Sequence, residues 1–241
     1  EWRYPRYSST PMETYGIVAN FERQPDRYTI WSNFQGPFIL HALMTGALGV
    51  PGNRLRLITA PHSGGSFGIK QAMFPYMVLL AACSKLLGCP LKWIEDRLEH
   101  LIGASAAADR EDRVEAAFSN DGELLGLKFD NIVNVGAYVR APEPASVYRM
   151  HSASNGCYRV KDIFVENRLV VTNMTPIGLN RGYGGPQFYY ALERVMEAGA
   201  KELGIDPAEI RRRNFIQPDE FPYEAPAGSI YDSGDYEAGL D

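Results

Sequence analysis

Cysteine is scarce in this chain, and the three present (Cys83, Cys89 and Cys157) form no CxxC pair and make an odd count. That pattern fits a reducing, cytoplasmic setting better than a disulfide framework. Long apolar runs are also missing. The longest, from Met77 to Cys83, is broken by Ser84 and Lys85 and falls short of the ~18 residues a membrane span needs. An excess of positive charge is lacking too: the net charge is −5, with acids and bases interspersed, which argues against nucleic acid as a partner. No signal peptide is visible at the start of these residues, and no internal repeat or low-complexity tract is seen along them. The chain starts without methionine and stops within a new amphipathic segment, so both ends read as cut from something longer.

What remains is a globular composition, 45% hydrophobic and 22% charged over 241 residues, enough to bury a sizeable core. "YGIVANF" and "RYTIWSNF" flank a turn at Gln24, Pro25 and Asp26 and predict a hairpin. Pro37 opens a helix that runs through Leu48 and stops at Gly49. "NRLRLITA" (53–60) alternates as a strand. From about Met73 to Leu87 the residues are apolar nearly all round, predicting a buried helix rather than a surface one. "PLKWIED" (90–96) is a further strand. Asn120-Asp121-Gly122 marks a long hairpin within 110–139, and 162–173 reads as another strand. Phe188, Leu192, Val195, Met196, Gly199 and Leu203 make one helical stripe that Gly204 ends. "DPAE" (206–209) caps a short second helix, with Asp206 as N-cap, Pro207 at the first position and Glu209 three residues on. The expected fold is α+β: a mixed sheet with long hairpins and helices packed on one side.

Two glycine-rich segments stand out because each leads towards a helix: "HSGGSFGIK" (62–70) and "NRGYGGPQ" (180–187). Such backbone lets exposed N–H groups approach an anionic or oxo-rich ligand. The first also matches G-x-S-x-G across Gly64 to Gly68, which would make Ser66 a hydrolase nucleophile with Asp130 and His151 as partners. Pro61, His62 and Ser63 separate strand from loop, and Pro75 delays the helix, whereas that motif needs a tight strand-to-helix turn. A cofactor-free interaction module is the other alternative.

Together the two loops carry a resemblance. "GGSFGIK" resembles the GGGFGGK loop, and "NRGYGGPQ" with the helices after it resembles the RGFGGPQ segment, of the xanthine dehydrogenase and aldehyde oxidase family, which includes carbon monoxide dehydrogenase large subunits. "TPME" (10–13), "WSNFQGPF" (31–38) and "LKWIEDRLEHLIG" (91–103) resemble family segments in the same order. The resemblance runs through essentially the whole chain.

It implies that residues 1–241 are the first molybdopterin-binding domain of a larger subunit whose second cofactor domain lies elsewhere. The implied cofactor is molybdopterin, in its cytosine dinucleotide form, with molybdenum held by the pterin dithiolene and not by protein side chains. The parent would oxidise an aldehyde or N-heterocycle with water as the oxygen source. Electrons would pass to iron–sulfur clusters and FAD on partner subunits or domains, in a cytoplasmic assembly with a dimer among its candidate forms. Gln35 falls where a glutamine hydrogen-bonds the metal's oxo group. Gly65, Phe67 and Gly68 belong to one cofactor loop, and Arg181, Gly182, Tyr183 and Gly184 to the facing one. Tyr183 and Gln71 fall at substrate positions. Arg149, by ungapped spacing back from Arg181, falls on an arginine that stabilises charge on substrate oxygen; an ordinary solvated arginine is the alternative there.

Departures from the family pattern matter equally. Gln71 stands where the purine enzymes carry a glutamate, and Gly182 where carbon monoxide dehydrogenase carries a copper-binding cysteine. Ser66 and Ile69 replace two loop glycines. The family's catalytic glutamate has no candidate in this chain. If both loops serve one cofactor, they must meet in space despite their separation in sequence.

Overall fold

The computed structural model describes residues 1–72 and 75–241. The first sheet has the order β4-β3-β2-β5. Strands β2 (Gly16–Glu22) and β3 (Arg27–Ser32) form the expected hairpin. Alternation sends Ile17, Ala19 and Phe21 into the core from β2, as a half-buried strand requires. Strand β4 (Leu55–Thr59) joins β3 in parallel, so the chain must cross over between them. Helix α1 (Pro37–Leu48) makes that crossing, with proline at its first turn and Gly49 as a left-handed cap at φ 66°. Its Leu40 and Met44 are fully buried. Strand β5 (Leu91–Ile94) pairs antiparallel with the other edge of β2.

Helix α2 (Pro75–Leu87) covers the same sheet but departs from expectation. Met77, Ala81 and Ser84 are buried, whereas Leu79, Leu86 and Leu87 are 58%, 83% and 65% exposed. Apolar composition on every side reports that a helix can be covered all round; among the described residues only the sheet side is covered. The expected start at Met73 lies outside the described residues. Ser84 is the polar exception on the buried face. Its Oγ accepts the Phe21 N–H at 3.0 Å and donates to the Cys89 carbonyl at 2.8 Å, pinning the helix to β2. Asp96 then opens the short helix α3 (Arg97–Gly103) with a complete capping box to Glu99.

The second sheet has the order β1-β6-β7-β8. Strand β1 (Trp2–Tyr4) lies beside β6 (Asp109–Phe118), which forms the predicted long hairpin with β7 (Leu124–Gly136). After the short helix α4 (Ala145–Tyr148), β8 (Asp162–Val171) returns parallel to β7 and forms the sheet's edge, leaving Phe164 and Val171 exposed. Helix α5 (Gly185–Leu203) packs its predicted stripe onto this sheet, with the Phe129 and Phe188 rings 4.4 Å apart. In helix α6 (Pro207–Asn214), Asp206 accepts from Ala208 N at 2.8 Å and Glu209 N at 3.1 Å. Glu209 does not reach back as a capping box would; it pairs with Arg213 one turn on, at 2.8 Å.

The mixed α+β class is therefore as expected, with the strands divided between two mixed four-stranded sheets and a small antiparallel pair (Tyr223–Glu224 with Ile230–Tyr231) rather than gathered in one sheet. The segment from α3 to β6 links the two sheets: along it Ser105 Oγ donates to the Ile69 carbonyl at 3.4 Å, Ala106 bridges Ile177, and Gly178 N–H donates to the Ala106 carbonyl at 3.1 Å. Among the described residues, no helix is long and apolar enough to cross a membrane.

Phe188→Ala removes a ring that is 1% exposed at the base of α5, and is expected to cost about 3–5 kcal/mol. Asp206→Ala, which removes only a cap, should cost about 1 kcal/mol. Chemical denaturation midpoints of the two variants compare them directly; equal shifts would contradict this description of the core.

Candidate functional site

Both glycine loops arrive at the junction of the two sheets. The first leaves β4 and ends in a single 3-10 turn, Ile69–Gln71, ahead of α2. The second leads into α5, with Gly184 as its N-cap at φ 90°. They touch at Gly68. A Cβ there would overlap the Leu179 side chain and lie 2.9 Å from the Leu179 carbonyl oxygen, and φ is +106° besides. Only glycine allows the two backbones this close. Beside that contact the Arg181 guanidinium sits 4.7 Å from the centroid of the Phe67 ring. In the same cleft, the Arg149 guanidinium sits 5.2 Å from the centroid of the Tyr183 ring, and Tyr183 Oη donates to the Pro142 carbonyl at 3.3 Å.

The result is an open cleft of about 540 Å³. Gln35, Phe67, Gly68 and Gln71 line it from the first sheet's side, and Arg149, Arg181, Gly182 and Tyr183 from the second's. Two of the residues singled out from sequence are not brought to it. Gly65 turns under the loop towards Pro11 and the Phe67 ring, and Gly184 faces the Ser146 carbonyl. Leu179 and Asn180 line the cleft as well; Asn180 opens the quoted second segment and Leu179 precedes it, without a signal of its own.

The helix start and the first loop are wired together at Gln35. Its N–H donates to the Lys70 carbonyl at 3.1 Å, and its side-chain Oε1 accepts from Ser66 Oγ at 2.6 Å and Gly68 N at 3.0 Å. The loop is anchored from beneath by an ion pair that sequence reading passed over. Lys70 is fully buried, and its Nζ lies 2.7 Å from Glu13 Oε2, which also accepts the Gly64 N–H at 3.1 Å. Partial burial pushes the Glu13 carboxyl up, but the Lys70 hydrogen bond, with help from Asn33 and Gly64, holds it below its ordinary value. A lysine closing a glycine loop ahead of an apolar helix, with an acid upstream, was the available signal.

Arg149 and Arg181 have no carboxylate partner among the described residues; aromatic faces hold them instead. Burial, and then the nearby Glu143, push the Tyr183 phenol up to about 12, so it stays neutral and protonated at ordinary pH. The cleft thus offers two free cations and amide donors, and no anion among its lining residues. Among the described residues, no three His, Cys, Asp or Glu side chains gather as a metal site.

The serine-nucleophile arrangement is not assembled. Ser66 Oγ bonds to Gln35, Asp130 accepts from Arg168 at 2.8 Å, and His151 Nε2 accepts from Asn167 Nδ2 at 2.7 Å. His100 is held by Glu95, Nδ1 to Oε2 at 2.6 Å, with both side chains buried. A single 3-10 turn, not a helix, follows the loop.

Comparison with known proteins adds an independent line. The molybdopterin cofactor-binding domain family matches residues 1–215. The chain is 32% identical over 240 residues to the carbon monoxide dehydrogenase large chain of Hydrogenophaga pseudoflava, covering 98% of this chain and 30% of that one. It is 33% identical over 234 residues to the nicotine 6-hydroxylase large subunit of Paenarthrobacter nicotinovorans, covering 96% and 28%. The crystal structure of quinoline 2-oxidoreductase from Pseudomonas putida 86 superposes with a TM-score of 0.91 at 32% identity, covering 99% of this chain and 30% of that one. The chain therefore spans less than a third of the length of these relatives.

Glu13→Ala would strand a buried cation. The expected cost is about 3 kcal/mol, the low end for breaking a buried pair because water reaches Glu13. Since the folded Glu13 carboxyl is depressed, its stabilisation is fully present above the ordinary carboxylate range and is lost as pH falls through the lower folded value. Denaturation midpoints measured down the acid limb should show this component in the native protein and lack it in Glu13→Gln.

Proposed function

The chain belongs to the molybdopterin cofactor-binding domain family, whose members include parts of carbon monoxide dehydrogenases and of xanthine and aldehyde oxidoreductases, and from that premise we propose that its cleft holds one side of a molybdopterin cofactor. The observation that carries this reading is the meeting of the two glycine loops around the Gln35 amide. The residues fit the group: an amide nitrogen and two guanidiniums that have, among the described residues, no hydrogen-bond and no carboxylate partner respectively suit an oxo-rich, anionic ligand. When bound, the cofactor's molybdenum supplies the two-electron redox and oxygen-transfer chemistry that no side chain here provides.

The chain's own residues hold and polarise. With its oxygen engaged, Gln35 would offer Nε2 as a hydrogen-bond donor to the bound cofactor. Arg149, held against Tyr183, is a fixed cation for negative charge developing on a substrate oxygen. Tyr183 keeps its proton and presents a neutral aromatic face to a planar substrate, in the cleft that Gln71 also lines. Arg181, over Phe67, brings a second cation to the same side of the cleft.

The substrate we infer is an N-heterocycle or aldehyde, oxidised with water as oxygen source, in keeping with the nicotine and quinoline activities of two relatives. Gly182 argues against copper chemistry. Its φ is +88°, and a Cβ there would lie 2.5 Å from Pro186 Cδ, so a cysteine would strain the loop and displace the proline. Gln71 in place of a glutamate argues against purines.

The remainder of such a subunit would supply the second cofactor domain and the catalytic glutamate, with iron–sulfur and FAD partners receiving the electrons in a cytoplasmic assembly. We infer the cytosine dinucleotide form of the cofactor on the same resemblance.

In the full-length enzyme, Gln35→Ala should lower turnover by about 10²–10³-fold, the loss of one aimed donor, with molybdenum content and denaturation midpoint unchanged. Unaltered turnover at full metal occupancy would reject the role. The 241 residues expressed alone, in cells competent for cofactor synthesis, should carry far less than stoichiometric molybdenum; a full complement by metal analysis would show that these residues complete the pocket.

A further inference from the structure

The amide of Gln35 could in principle rotate to offer the cleft either oxygen or nitrogen. Three groups on the first loop decide the matter. The Lys70 N–H donates to Ser66 Oγ at 3.1 Å, Ser66 Oγ donates to Gln35 Oε1 at 2.6 Å, and Gly68 N–H donates to that same oxygen at 3.0 Å. A backbone N–H can only donate, so the oxygen faces the loop and the nitrogen faces the cleft. The start of this relay is itself immobile, because Lys70 is fully buried and tied to Glu13 at 2.7 Å.

We propose that Ser66 is a positioning residue: its hydroxyl holds the Gln35 amide with Nε2 towards the cleft and makes that nitrogen a stronger donor. Two donors on one amide oxygen draw electron density onto it and leave the N–H hydrogens more positive, and the bond from Lys70 polarises the serine hydroxyl in the same sense. Ser66 stands where the resembled loop has glycine, so the hydroxyl is an addition made by this chain and not a requirement of the loop's path. It also reassigns the serine of the G-x-S-x-G match. With its oxygen accepting from Lys70 and its proton given to Gln35, Ser66 is engaged on both sides and works through another side chain. Glutamine is long and exposed here, and Gly68 alone would hold it by a single bond, so the second bond fixes both the amide plane and its direction.

The inference rests on the reading that Gln35 faces a molybdenum cofactor, and the experiment separates the two. Full-length, cofactor-loaded Ser66→Ala, Ser66→Thr and Gln35→Ala enzymes are compared by steady-state kinetics and by the electron paramagnetic resonance signal of partly reduced molybdenum. Ser66→Ala is expected to lower kcat about tenfold, the equivalent of one hydrogen bond, with KM unchanged. It should also shift the molybdenum signal in the same direction as Gln35→Ala, while Ser66→Thr, which keeps the hydroxyl, restores both. Should Ser66→Ala lose structure, Ser66→Gly, the residue of the resembled loop, takes its place. If Gln35→Ala moves kcat and the signal but the Ser66 variants move neither, the positioning role is overturned and the cofactor reading stands. If Gln35→Ala leaves both unchanged, the cofactor reading fails and this inference fails with it.

Discussion

At Gly68 the first loop lays its backbone against Leu179 so closely that a methyl group would lie 2.9 Å from the leucine carbonyl oxygen. Every other feature of the cleft follows from that closeness. Because the loops abut there, Phe67 can lie under Arg181, and Gln35 can reach the Gly68 N–H while still lining the cleft. The two sheets contribute opposite walls, so the site exists only as long as their junction holds. A side chain at position 68 would have to push the walls apart before it altered any chemistry.

Beneath this contact the electrostatics are divided by depth. The cation inside the protein, Lys70, is matched by a carboxylate at 2.7 Å, as burial of a charge demands. The cations at the surface of the cleft, Arg149 and Arg181, are steadied by rings, which orient a guanidinium without neutralising it. The loop is thus anchored below by a satisfied pair and armed above with unsatisfied ones. That is the arrangement expected where an anionic or oxygen-rich group is to be received.

Much of the fold was readable because punctuation residues act locally. Pro37 and Gly49 bound α1, Asn120-Asp121-Gly122 turn the long hairpin, and Asp206 with Pro207 starts α6, each through a backbone effect within a few residues. The division into two sheets was not readable, since the partner of a strand is set by distant segments. Nor was the open face of α2, because Leu79, Leu86 and Leu87 record an affinity for cover and not the presence of it. In the site, spaced motifs located both loops, including Gly65 and Gly184, which shape the backbone from behind the cleft. The Glu13–Lys70 pair went unseen although both residues lay in quoted segments, because a charge on a loop reads as solvated until its burial is known.

The crowding at Gly182 has a consequence for anyone redirecting this scaffold by combinatorial mutagenesis. Positions 66 and 71 carry side chains on ordinary backbone and can be randomised singly. At 182 every codon but glycine's asks for a left-handed residue with a Cβ 2.5 Å from Pro186 Cδ. A single-site library there would be spent on misfolded loops, whereas paired diversification of 182 and 186 would let the ring give way as the new side chain enters.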